Sequence, residues 1–303
     1  MNNIDKIIFS ILEEDDEPKK YNVLFTPRRI KDRKRARLEW AKRILQQEHI
    51  DGDLDLSDLP ITDLGNLKSI TGNLDLSYTS ITSLGSLESV GGYLDLRNAS
   101  VTNLGSLKSV NEGLYLSGTP ITTLKPLESV GGYLDLRNTP ITSLGSLKSV
   151  GGGLNLDNTP ITDLGSLESV SGYIDLQNTP ITSLGSLKSV GSWLDLRNTP
   201  ITSLGSLRSV GGSLDLSGSS ITDLGSLKSV DGYFYLQNTP ITNLGSLELV
   251  GGNLDLRGTP ITSLGSLKSV NMIVIDKDSK LDVDSLPKYF KNKMIIRAVR
   301  GNG

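Results

Sequence analysis

The chain of 303 residues carries a formal net charge of −3, no cysteine and one histidine, His49. Disulfides and thiolate metal sites are excluded, and no global field favours nucleic acid or a membrane surface. The lack of cysteine fits a reducing compartment without requiring one.

In chain order, the first expected element is short. Ile4, Ile7, Ile8, Ile11 and Leu12 recur at helical spacing, and the acidic run Glu13–Glu17 with Pro18-Lys-Lys follows as linker. Residues 1–20 therefore read as a docking helix and acidic linker, or as a helix packed on the cap that follows. The N-terminus has no basic region before its apolar stretch, and charge breaks that stretch, so neither signal peptide nor membrane span is expected. The expected location is the cytoplasm, or a virion or other assembly.

Residues 21–50 read as a helical cap. Its helix is expected over 28–48, with Thr26 at the N-cap, Pro27 in the first turn, and Leu38, Trp40, Ala41, Ile44 and Leu45 over the first repeat. Arg28, Arg29, Lys31, Arg33, Lys34, Arg35 and Arg37 crowd the helix start, where cations oppose the helix dipole. They suit an acidic or phosphate-bearing partner, or simply a solvated face. This stretch, Arg28–Arg37, is the one hint of nucleic acid, and with Trp40 alone interleaved specific binding is not expected.

Residues 51–270 repeat every twenty residues, eleven times, with no insertion or deletion. Numbering slots from the first residue of Gly131–Val150, apolar residues fall at slots 4, 6, 11, 14, 17 and 20. Slots 4 and 6 alternate with polar neighbours, the period of a half-buried strand. Slots 11, 14, 17 and 20 suit a chain that turns repeatedly and drops one side chain inward at each step. Glycine at slot 2 is expected to supply positive φ at a corner, and proline at slot 10 to preset a turn. One such unit cannot bury its apolar face, whereas stacked units share a continuous core. Residues 271–303 read as a C-terminal cap, the repeat decaying through Ile273–Ile275 and Leu281 before Leu286–Phe290 and Met294–Ile296 close the stack.

Slots 1 to 11, as in Tyr133-Leu134-Asp135-Leu136-Arg137-Asn138-Thr139-Pro140-Ile141, resemble the leucine-rich-repeat template L-x-x-L-x-L-x-x-N-x-L. Two departures stand out: glycine or a polar residue at slot 1, and Thr (Thr139, Thr159, Thr179) where the template has Asn. A threonine ladder would then cap the inner backbone. Across the coil junction, Leu147, Val150, Gly152, Leu154 and Leu156 look similar to the L domains of growth-factor receptors and to uncharacterised leucine-rich proteins of bacteria and phages. The resemblance implies a mainly β fold: a right-handed parallel-β leucine-rich-repeat solenoid of about eleven twenty-residue coils with an α-helical N-terminal cap. It is nearly silent on function.

Slots 3, 5 and 7 are expected to face solvent as three columns. Slot 5 is Asp in eight coils, and Arg97, Arg137, Arg197 and Arg257 at slot 7 each stand two residues from one. Stacked aspartates repel, so no folding argument is expected to require them, although duplication alone could copy them. The aromatics break the copying: Tyr93, Tyr133, Tyr173, Trp193 and Tyr233 share slot 3 with Gly113, Gly153, Ser213 and Asn253, while Tyr115 and Tyr235 enter slot 5. Tyr, Trp and Arg supply binding anchors. The candidate partner-binding residues are therefore Tyr93, Asp95, Arg97, Tyr115, Tyr133, Asp135, Arg137, Tyr173, Asp175, Trp193, Asp195, Arg197, Tyr233 and Tyr235. Slot 18 alternates in sign and slot 12 is Thr throughout, so both read as structural ladders. No catalytic, cofactor or metal residue is expected, because nearly every polar residue is periodic and a flat aspartate column cannot surround Ca²⁺. The expected function is non-enzymatic binding of a protein or peptide partner, or else a structural part of a larger, phage-like assembly anchored by the N-terminal segment.

Overall fold

A computed structural model describes residues 27–297, so Thr26 and the expected docking helix and linker (1–20) lie outside the described residues. The chain divides into a unit ending at Arg37 and a unit from Leu38 onward. Helix α1, Pro27–Ile44, contributes to both and ends four residues earlier than expected. In the second unit its Ala41 and the following Leu45 are buried, and Leu38, Trp40 and Ile44 pack against the core.

The second unit is a parallel β-solenoid of twenty-residue coils. Each coil gives two residues to a ladder at slots 4–5, as in Leu134↔Leu154 and Asp135↔Asn155, always twenty residues apart. A second ladder, not expected from the sequence, runs through slots 19–20, as in Ser149↔Ser169 and Val150↔Val170. Isolated bridges such as Thr123↔Ser143 mark a third side at slot 13. All six expected apolar slots are buried in every coil, and slot 9 joins them in every coil but the last, where Thr259 is half-buried. Its threonines cap the backbone within their own coil: the Thr139 hydroxyl donates to the Leu136 carbonyl at 2.7 Å, with the same bond at Thr79, Thr119, Thr159, Thr179, Thr199 and Thr239.

Two corners of the coil are built alike. At slot 5 the carboxylate or amide oxygen accepts the N–H two residues on, and slot 8 then turns left-handed, as Asn138 does at φ 56°. At slot 13 the oxygen of Asp63, Ser83, Asn103 or Ser143 accepts the N–H of a slot-15 glycine, also left-handed, such as Gly145 at φ 64°. Short polar side chains that bond their own backbone favour such turns.

The expected reason for glycine at slot 2 is corrected. Among these glycines only Gly52 has positive φ. The others lie against the coil before: a Cβ on Gly152 would meet the Gly132 carbonyl carbon at 2.7 Å and Tyr133 N at 2.8 Å. Close approach of backbones, not a corner, demands the missing side chain.

Slot 12 forms a ladder in which a threonine hydroxyl donates to the threonine carbonyl of the preceding coil, as from Thr182 to Thr162 at 3.2 Å. Slot 18 carries ion pairs between stacked neighbours at Glu168–Lys188 and at Lys228–Glu248–Lys268, and Glu48 before the first coil pairs with Lys68. At the far end the pattern continues past Val270. The strand Ser269–Asp276 lies on Leu249–Asp255 as a further turn, with a register change that sets Ile273 against Leu254. Met294–Arg297 adds the last parallel strand, Phe290 of the short helix α2 (Lys288–Lys291) is buried, and Lys293 and Tyr289 cap the Val270 carbonyl.

Candidate functional site

The slot 3, 5 and 7 columns lie beside the ladder at slots 4–5, but they are not uniformly exposed. Asp95, Asp135, Asp195 and Asp255 are buried, each beneath the arginine of its own coil. Arg97, Arg137, Arg197 and Arg257 bind them through Nε and Nη2 at 2.5–3.1 Å. For Asp135 and Arg137 the side-chain exposures are 2% and 45%. Asp95, Asp135 and Asp195 are therefore covered, not exposed as expected. They are the floor, and the guanidinium groups are the surface.

The aspartate column also has a structural cause that the sequence reading missed. Every Asp or Asn of slot 5 accepts the slot-7 N–H, at 2.9 Å for Ser77, Arg97 and Ser217 and at 3.0 Å for Arg197 and Asp157. The column makes the corner. Its signal was present in the sequence as an Asp followed three residues later by Asn or Gly, a turn pattern.

The aromatic side chains do come together. Tyr93 meets Tyr115 edge to face at 6.3 Å, Tyr115 meets Tyr133 at 6.0 Å, Tyr133 meets Tyr173 at 6.1 Å, and Tyr173 lies parallel to Trp193 at 4.7 Å. The ribbon crosses two coils that lack a slot-3 aromatic because glycine seats a ring there. A Cβ on Gly113 would meet the Tyr115 ring at 2.9 Å, and one on Gly153 would meet the Tyr173 ring at 2.6 Å. Burial, then a hydrogen bond shared with Tyr173, holds the Tyr133 hydroxyl above the ordinary tyrosine pKa. Arg97 lies over the Tyr115 ring at 5.7 Å. Tyr233 and Tyr235 form a separate stacked pair at 6.0 Å, and Tyr233 is the most open ring of the face.

Polar residues absent from the expected site complete it. Asp53, Asn73 and Ser213 at slot 3 each accept the N–H of the next coil's slot 3, at 2.7, 2.9 and 3.1 Å. Gln177 accepts from Arg197 at 3.0 Å, and Gln237 donates to Asp255 at 2.8 Å. Among the described residues no group of three or more His, Cys, Asp or Glu is placed to hold a metal, and no helix is long and apolar enough to cross a membrane.

No protein-family model matches the chain, and no curated protein matches it either. Among solved structures, YopM from Yersinia enterocolitica WA-314 aligns with 97% of this chain and 99% of its own, at 13% identity and a TM-score of 0.15. At that score nothing about this chain is inferred from it.

Proposed function

We propose that this protein is a non-enzymatic interaction module that binds a protein or peptide through the strand face of its solenoid. The reading is carried by the aromatic ribbon from Tyr93 to Trp193, five half-buried rings in unbroken contact beside guanidinium groups held in place by buried carboxylates. Rings and arginines fixed before binding lose little freedom when a partner arrives, which is what makes such side chains effective anchors.

The test is capture of a partner by the intact chain and by a variant carrying Tyr133→Ala, Tyr173→Ala and Trp193→Ala. An anchor of this kind contributes about 2 kcal/mol or more. Capture is therefore expected to vanish while the circular dichroism spectrum stays that of the parent. Undiminished capture by a folded triple variant would overturn the reading.

A further inference from the structure

The slot-5 carboxylates are satisfied in different ways, and Asp215 combines a free-standing carboxylate geometry with a gap in the aromatic column. Four are covered by their own coil's arginine. Asp55 and Asp75 accept the hydroxyl of their own slot-7 serine at 2.6 and 2.7 Å. Asp175 accepts the backbone N–H of Gln177 at 3.2 Å, and its carboxyl is half-buried. Asp215 differs, because Ser217 turns its hydroxyl away to Gln237 at 2.6 Å and gives Asp215 only its backbone N–H. Arg197 hydrogen-bonds Asp195 and Gln177, and its Nε reaches Asp215 only as a long ion pair at 3.8 Å, with no hydrogen bond. The Asp215 side chain is 27% exposed.

The surroundings of Asp215 are equally distinct. Ring contacts run without a break from Tyr93 to Trp193, then stop. Ser213 stands in the aromatic column between Trp193 and Tyr233, and its hydroxyl accepts the Tyr233 N–H at 3.1 Å. Adjacent parallel strands are about 4.8 Å apart, so Trp193 and Tyr233 rise from backbones roughly 9.6 Å apart. A cation between them falls within the ~6 Å over which a ring face attracts it. The gap in the aromatic column at Ser213, a notch between Trp193 and Tyr233, thus lies on the coil that carries Asp215.

What fits a slot-5 carboxylate is shown four times by the chain itself: a guanidinium, bound through two nitrogens. We infer that Asp215, Trp193 and Tyr233 form a receptor for one arginine side chain, presented by an extended segment of the partner. That arginine supplies in trans what Arg97, Arg137, Arg197 and Arg257 supply in cis. The inference rests on the strand face being the binding face, and it names the chemistry selected there.

The test uses the full-length ¹⁵N-labelled chain, whose two tryptophans give two indole N–H signals, with Trp40 as internal reference. The probe is the peptide acetyl-Ser-Arg-Ser-Arg-Ser-amide, compared with versions carrying citrulline, the neutral isostere, or lysine. The arginine peptide is expected to shift the Trp193 signal and not that of Trp40. Citrulline or Asp215→Asn should weaken binding at least tenfold. Ser217→Arg places an internal guanidinium on Asp215, and Ser213→Tyr fills the notch. Both restore residues that sister coils already carry, so both should fold, and both should abolish the shift. Equal binding of the citrulline or lysine peptide, undiminished binding by Ser217→Arg, or no shift at all would overturn the inference. Capture of a natural partner separates the two claims. Loss in the triple alanine variant with retention in Ser217→Arg keeps the face and removes the notch. Retention in both removes the face as well.

Discussion

Aspartates at equivalent positions do opposite things here, because burial and partners differ from coil to coil. Asp135 is held by Arg137, so Asp135→Asn strips a buried pair of its charge and is expected to cost about 1–3 kcal/mol in urea unfolding. Asp175 has no arginine. Burial raises its carboxyl above the ordinary aspartate pKa, with Asp195 and Asp157 adding to this and the Gln177 N–H offsetting part. A carboxyl raised in the folded state opposes folding while ionised. The penalty is full above the folded-state pKa, shrinks as pH falls through it, and is gone below the ordinary aspartate value. Asp175→Asn is therefore expected to raise the urea midpoint at pH 7, with the gain fading in acid. Asn155 already fills that slot, accepting the Asp157 N–H at 3.0 Å. A midpoint that drops at pH 7 would contradict this account.

At the scale of one coil, two glycines make separable demands. A Cβ on Gly152 strikes the backbone of the preceding coil, whereas one on Gly205 meets nothing within 4 Å but must hold φ at +55°. Gly152→Ala is expected to cost about 1–3 kcal/mol by overpacking. Gly205→Ala should cost roughly 1–2 kcal/mol for the left-handed backbone alone, and Gly205→Asn should recover part of that, since Asn tolerates this region. Glu112 and Ser192 occupy slot 2 elsewhere, so a coil can shift to admit a side chain. Thermal unfolding of the three variants orders these costs. The inward slots and the strand at slots 4–5 were legible because each repeats with a fixed period, and the rings because they interrupt it on one face. The ladder at slots 19–20 was not, since a Ser-Val pair has no alternation to betray it. The corner role of slot 5 was signalled only by the Asn or Gly three residues on, and it was masked because Asp135 makes its turn and receives Arg137 with the same carboxylate.

For the molecule as a whole, contacts join each coil only to its neighbours, so stability should follow the number of coils. Deleting residues 131–150, one complete coil, is expected to leave a folded chain with a urea m-value lower by roughly a tenth. Deleting Leu134 alone should do far more harm than deleting all twenty residues, because every later inward side chain of that coil loses its place. Circular dichroism and sedimentation of the two deletions compare them directly, and equal damage from both would contradict nearest-neighbour stacking.

Coils this similar raise a problem of identity during folding. A segment laid down one layer out of place would still fill every inward position with Leu, Ile or Val, and hydrophobic burial would scarcely object. The ring of Tyr173 resting on Gly153 does object, since every other coil except that of Gly113 brings a side chain into that seat. A few unlike residues on an otherwise uniform surface thus act as addresses, telling each layer where it belongs.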